Sequence, residues 1–159
     1  MIEHARKRKI QVLTWVFILG LVISGVTAYP LEWEINLIVA FCERYSLQGT
    51  VIDWLHTVRE GIVQTNARYP FLAYGTDWLA FAHLVIAIAF WGVIKDPARN
   101  SWLIDWGMIA SVLVIPQALI AGQIREIPFF HQIIDCMFGV GAIPLLVWIR
   151  RLITRDQVR

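Results

Sequence analysis

Charge is scarce in this 159-residue chain: Asp, Glu, Lys and Arg make up only 16% of it, against about 25% in a typical soluble domain. Apolar residues make up 58%, and the mean hydropathy is +0.60. That balance excludes an ordinary soluble domain and points to a protein of the lipid bilayer. Cysteine is almost absent. Cys42 and Cys136 are far apart and form no CxxC pattern, so neither a metal ribbon nor a thioredoxin-like redox motif is present. No internal repeat and no low-complexity tract stands out. The net charge of +2 says little as a total, because most of the fourteen basic residues sit in three short clusters. No nucleic-acid partner is expected.

What the chain has in quantity is long apolar runs. The first, residues 10–29, carries no charge and spans about 20 residues, enough to cross a hydrocarbon core of roughly 30 Å. It is too long for a signal-peptide core, and no A-x-A-like cleavage site follows it, so it is expected to be retained. Three further runs cover residues 72–94, 102–121 and 128–149, interrupted by Asp77 and His83, by Asp105 and Gln117, and by His131 and Asp135 respectively. Lipid satisfies no backbone polar group, and these runs are continuous rather than alternating, so helices are expected. The predicted fold class is all-α: one polytopic membrane domain over 1–159, with four transmembrane helices plus two amphipathic helices on the outer side.

The basic clusters predict the orientation. They are Arg6, Lys7, Arg8 and Lys9 at the amino end, Lys95 and Arg99 between spans two and three, and Arg150, Arg151, Arg155 and Arg159 at the carboxy end. Four spans place all three on one side, and the positive-inside rule makes that side the cytoplasm. The segment 31–69 then faces outward. Tyr29, Tyr45, Tyr69 and Tyr74 fall on or near that face, and Trp91, Trp102, Trp106 and Trp148 mark the inner boundary, as expected of aromatic belts.

Segment 31–69 reads as two amphipathic helices parted at Gly49, a residue suited to stopping a helix. Thr50 and Asp53 resemble a capping box for the second helix. Val51, Trp54, Leu55, Val58 and Ile62 form its apolar stripe. The pair either lies on the bundle or bilayer surface, or forms a lid over a pocket with His56 or Arg59 reaching inward. Within the spans, small residues mark expected packing faces. These are Gly20, Ser24 and Ala28 in span one, and Ala73, Thr76, Ala80, His83 and Ala87 in span two. Span three offers Ala110, Val114, Gln117 and Ala121, and span four offers His131, Asp135 and Gly139.

Ionisable groups inside a span are costly and usually face the interior, so each is a candidate for function. At about 1.5 Å per residue, His131, Gln117, Asp77 and Asp135 lie roughly 5–10 Å below the outer boundary, and His83 near the midplane at roughly 16 Å. Arg125 and Glu126 sit just above this layer. His131 and Asp135, four apart, share a helix face. Imidazole and carboxylate are ordinary ligands of a divalent metal such as zinc, and Asp77 or His83 would complete the set. Gln117, Arg125 and Glu126 are the accompanying candidates for binding a small ligand. A hydrolytic use would take Asp135 or Glu126 as base, but no nucleophile motif supports it, so no catalytic residue is assigned. The same pair also fits a structural hydrogen-bonded network, or an interface with another subunit. Asp77 is also a partner for Arg68 or Arg125, His83 fits a packed histidine bonded to a helix hydroxyl or to Gln117, and Asp105 is expected to pair with Lys95, Arg99 or a carboxy-terminal arginine. A b-type haem is the remaining alternative; His83 and His131 as its axial pair differ in depth by about 10 Å.

The stretch from Tyr69 to His83, the motif Asp96-Pro-Ala-Arg-Asn100 and the stretch Ile134-Asp-Cys-Met-Phe-Gly139 resemble small bacterial four-span membrane proteins of unassigned function. The resemblance covers roughly the last 90 residues. It implies a bacterial inner membrane and no activity. The expected partners are therefore the lipid bilayer and either other membrane subunits or a second copy of the chain, with a metal- or small-ligand-binding protein and a non-catalytic subunit or assembly factor as the two functional expectations.

Overall fold

The computed structural model describes residues 2–157, and side chains within 4–154. The described residues form helices α1 (Ile2–Ala28), α2 (Leu31–Arg44), α3 (Thr50–Arg68), α4 (Tyr74–Lys95), α5 (Ser101–Ile124) and α6 (Phe129–Gln157), with a short 3-10 turn at Pro70–Ala73 leading into α4. No strand occurs among them. Four stretches, His4–Ala28, Pro70–Lys95, Ser101–Ile124 and Phe129–Thr154, are long and apolar enough to cross a membrane. At 24 to 26 residues each is roughly 36–39 Å long, ample for a core of about 30 Å. Their outward residues are strongly apolar: Ile88, Ile124, Phe138 and Ile120 are among the most exposed large hydrophobic side chains. Such a surface is a liability in water and the normal condition of a helix facing lipid. The four helices fit a multi-pass membrane protein.

The chain divides into two compact units, Met1–Leu19 with Ile88–Arg159, and Gly20–Ala87. In the first unit, the α5–α6 hairpin is built on small residues. Gly139 on α6 meets the backbone carbonyl of Ser111, a β-carbon on Gly122 would come within 2.5 Å of Gln132 Cγ, and one on Gly107 within 3.0 Å of Phe90. Gly139 lets the backbones of α5 and α6 approach, the usual way helices adhere in lipid, while Gly122 and Gly107 make room for the side chains of Gln132 and of Phe90 on α4. Ala110 and Ala121 of the expected stripe on α5 are half-buried, but Val114 and Gln117 are exposed; the buried residues are Leu103, Ile104, Gly107, Ser111 and Gly122. The hairpin turns at Glu126, whose φ of 57° is left-handed. The amide N–H of Ile127 donates to Gly122 O at 2.9 Å and that of Glu126 to Gln123 O at 3.3 Å, closing α5 with paired bonds of the Schellman type. In the same unit the first part of α1 packs on the end of α4. Trp15 meets Trp91 edge-on at 5.3 Å, Phe17 meets Phe90 at 4.7 Å, and Gln11 Nε2 donates to Ile94 O at 3.2 Å.

In the second unit the close approach is Gly25. A β-carbon there would lie 2.9 Å from Ala80 O and 3.1 Å from His83 Cβ. Gly20, expected on the packing face of span one, has open space beside it. The expected stripe of span two holds: on α4, Ala80 and Ala87 are buried and Thr76 and His83 half-buried, and Ala73, in the turn before it, is half-buried. Helix α2 buries Ile35, Val39 and Cys42, at steps of four and three that define one helix face. It stops at Ser46 rather than at Gly49. Ser46 has φ 51°, and the N–H groups of Ser46 and Leu47 donate to Glu43 O and Cys42 O at 3.1 and 3.0 Å. Gly49, with φ 129°, instead precedes α3, and no side-chain cap bond forms there. The expected Thr50–Asp53 capping box is therefore absent, because Thr50 is already the first residue of the helix.

Candidate functional site

Helix α6 brings together the pair read from the sequence. His131 and Asp135 lie in its first two turns, one turn apart, with His131 Nε2 3.8 Å from Asp135 Oδ1. That separation is too long for a hydrogen bond. The two side chains are 39% and 44% exposed, so both reach the helix surface rather than a closed core. Between them in sequence, Gln132 turns the other way. It is buried against Gly122, and its Nε2 donates to Ile127 O at 2.7 Å, tying the start of α6 to the hairpin turn. Its Oε1 is buried without a hydrogen-bond partner.

The other candidates are distributed as follows. Gln117 is exposed on α5, and Arg125 and Glu126 are exposed at the hairpin turn. Asp77 and His83 lie on α4 in the second unit, and His131 and Asp135 in the first. Asp77 is half-buried in the first turn of α4 and forms no ion pair among the described residues. His83 is half-buried: its Nδ1 lies 2.8 Å from Leu79 O one turn back, rather than at the helix hydroxyl or Gln117 expected of it, and its β-carbon borders Gly25. Among the described residues, no three His, Cys, Asp or Glu side chains are grouped to hold a metal ion. Asp105 pairs with a carboxy-terminal arginine as expected, accepting from Arg150 Nε at 2.7 Å.

Sequence reasoning missed the polar seam between α2 and α3. Asn66 Nδ2 donates to Glu32 at 2.6 Å, and Arg59 Nε donates to Asn36 at 2.8 Å. Glu43 stands 3.9 Å from Arg59 and 4.0 Å from His56. His56 and Arg59 thus join α3 to α2. Glu32 and Asn36, one turn apart on α2, were visible as a polar stripe. Their partners depend on how the two helices pair, which no local pattern encodes. Beside the seam, α2, α3 and the start of α4 line an open cleft of about 810 Å³.

Compared with known proteins, the chain matches no family model, no curated relative and no solved structure. Four apolar helices long enough to span a bilayer define the class, a multi-pass membrane protein.

Proposed function

We propose that this is a multi-pass protein of a bacterial inner membrane, with both termini cytoplasmic and α2 and α3 outside, that binds a small polar ligand at His131 and Asp135. A divalent metal ion is the first candidate for that ligand. The observation that supports this best is the geometry of the pair. Two ligands at about 2.1 Å from a tetrahedral zinc ion stand roughly 3.4 Å apart, and His131 Nε2 and Asp135 Oδ1 are 3.8 Å apart and partly exposed. A small side-chain adjustment closes the difference. Two protein groups leave the remaining positions to water or to a further ligand molecule. A carboxylate in lipid costs roughly 2.5–3.5 kcal/mol at a helix centre, so a bound cation would also remove a penalty. Metal analysis of the purified protein tests this: about one equivalent is expected, lost in His131→Ala. A metal-free protein that takes up none on addition would overturn the metal assignment.

The exposure of Gln117 within span α5 favours a second reading, a non-catalytic subunit or assembly factor. An amide facing lipid is left unsatisfied, and a helix of another subunit would supply its partner.

A further inference from the structure

The cleft in the second unit has a composition that selects a ligand. Its walls are largely apolar, with Leu31 and Trp33 from α2, Val58 and Ile62 from α3, and Leu72 from the turn before α4. Glu32 is the one charged residue among its described lining residues. This carboxylate is half-buried. Asn66 holds one of its oxygens at 2.6 Å, and the other has no protein partner among the described residues. A carboxylate with one oxygen left unpaired by the protein can accept charge-assisted hydrogen bonds from an ammonium group. Tyr29 and Trp33 also line the cleft, and aromatic faces attract the same kind of cation.

An amphiphile whose polar end is an ammonium complements a lone carboxylate set among apolar walls. The position of the cleft fits such a ligand. Its residues come from just beyond Ala28, where one candidate span ends, and from Leu72, Ala73 and Thr76, where the next begins. Lipid headgroups lie at that level in a bilayer, and the apolar walls would take the adjoining acyl chain.

We infer that this cleft is a binding site for a bilayer lipid with a phosphoethanolamine headgroup, its ammonium on Glu32. The inference rests on the membrane reading of the spans and is independent of the His131–Asp135 pair. Topology labelling tests the former separately, so the two can fail apart.

Two variants test it. Glu32→Gln keeps the shape and an oxygen to accept from Asn66 but removes the charge. Gly61→Leu fills the cleft from α3: Gly61 lines it, and a β-carbon there would meet nothing within 4 Å. Leucine also favours a helix more than glycine does. Native mass spectrometry of the full chain in detergent would be run with short-chain phosphatidylethanolamine, short-chain phosphatidylglycerol and an alkylammonium salt. Phosphatidylethanolamine is expected to bind saturably and at least about tenfold tighter than phosphatidylglycerol, a difference of roughly 1.4 kcal/mol. Both variants should abolish that preference while retaining the helical content of the parent. Equal binding of the two lipids, or an unchanged preference in both variants, would overturn the inference. Tighter binding of the alkylammonium than of phosphatidylethanolamine would overturn the lipid assignment in favour of a free amphiphilic amine.

Discussion

Gly139 on α6 lies so close to the carbonyl oxygen of Ser111 on α5 that no β-carbon fits between them. The obstacle is backbone, which cannot swing aside as a side-chain tip would. Gly139→Ala is expected to destabilise the hairpin by about 1–3 kcal/mol, the usual range for overpacking. Gly141, one half-turn further along the same helix, has open space beside it. Gly141→Ala should leave the melting temperature unchanged or raise it, since alanine is the better helix former. Thermal unfolding of the two variants in one detergent checks the contrast.

Glu126 holds a left-handed conformation at φ 57°, which costs a residue with a β-carbon roughly 1–2 kcal/mol. Glu126→Gly removes that strain but adds freedom to the unfolded chain, worth about 0.4–1 kcal/mol. The net expectation is equal or slightly higher stability, and Glu126→Val should be clearly less stable. A marked loss in Glu126→Gly would show that the carboxylate itself, rather than the turn, matters at this position.

Asp105 and Arg150 pair at 2.7 Å with side chains 43% and 33% exposed. A partly exposed pair of this kind contributes modestly, so a double-mutant cycle of Asp105→Ala and Arg150→Ala should give a coupling of about 0.2–1 kcal/mol. A coupling near zero would mean that the contact is incidental to the junction of α5 and α6.

Topology is open to cysteine labelling. Cys42 and Cys136, both buried, are first replaced, and single cysteines are then introduced as Gly61→Cys and Pro97→Cys. An impermeant maleimide should label position 61 in intact cells and position 97 only after permeabilisation. The reverse pattern would invert the orientation.

The spans were legible because hydropathy alone encodes them: residues 72–94, 102–121 and 128–149 fall largely within the candidate spans, from Pro70–Lys95 to Phe129–Thr154. The starts and stops were less legible. Helix α1 runs back to Ile2 through the basic cluster, because lysine and arginine are good helix formers and nothing there breaks the helix. Stops at Ser46 and Glu126 use left-handed residues without glycine, which no composition rule finds. The face of α5 was misread for a different reason. A helix apolar all round carries little periodicity to show which side packs, and the choice fell to Gly107, Ser111 and Gly122. Of the candidate site, the His131–Asp135 pair was readable from its spacing of four. The α2–α3 cleft was not, since Glu32 meets Asn66 and Asn36 meets Arg59 only through tertiary pairing.

The most direct measurement of the central claim is a thermal shift with added Zn²⁺, made on the parent protein and on Asp135→Asn. A ligand that binds only the folded state stabilises it by RT ln(1 + [L]/Kd), about 2.7 kcal/mol at one hundred times Kd. The asparagine keeps the size of the side chain and removes its charge, so the unliganded melting temperatures should agree. The parent should then rise with Zn²⁺ while Asp135→Asn stays where it was. An equal rise in both proteins, or none in either, would contradict metal binding by the His131–Asp135 pair.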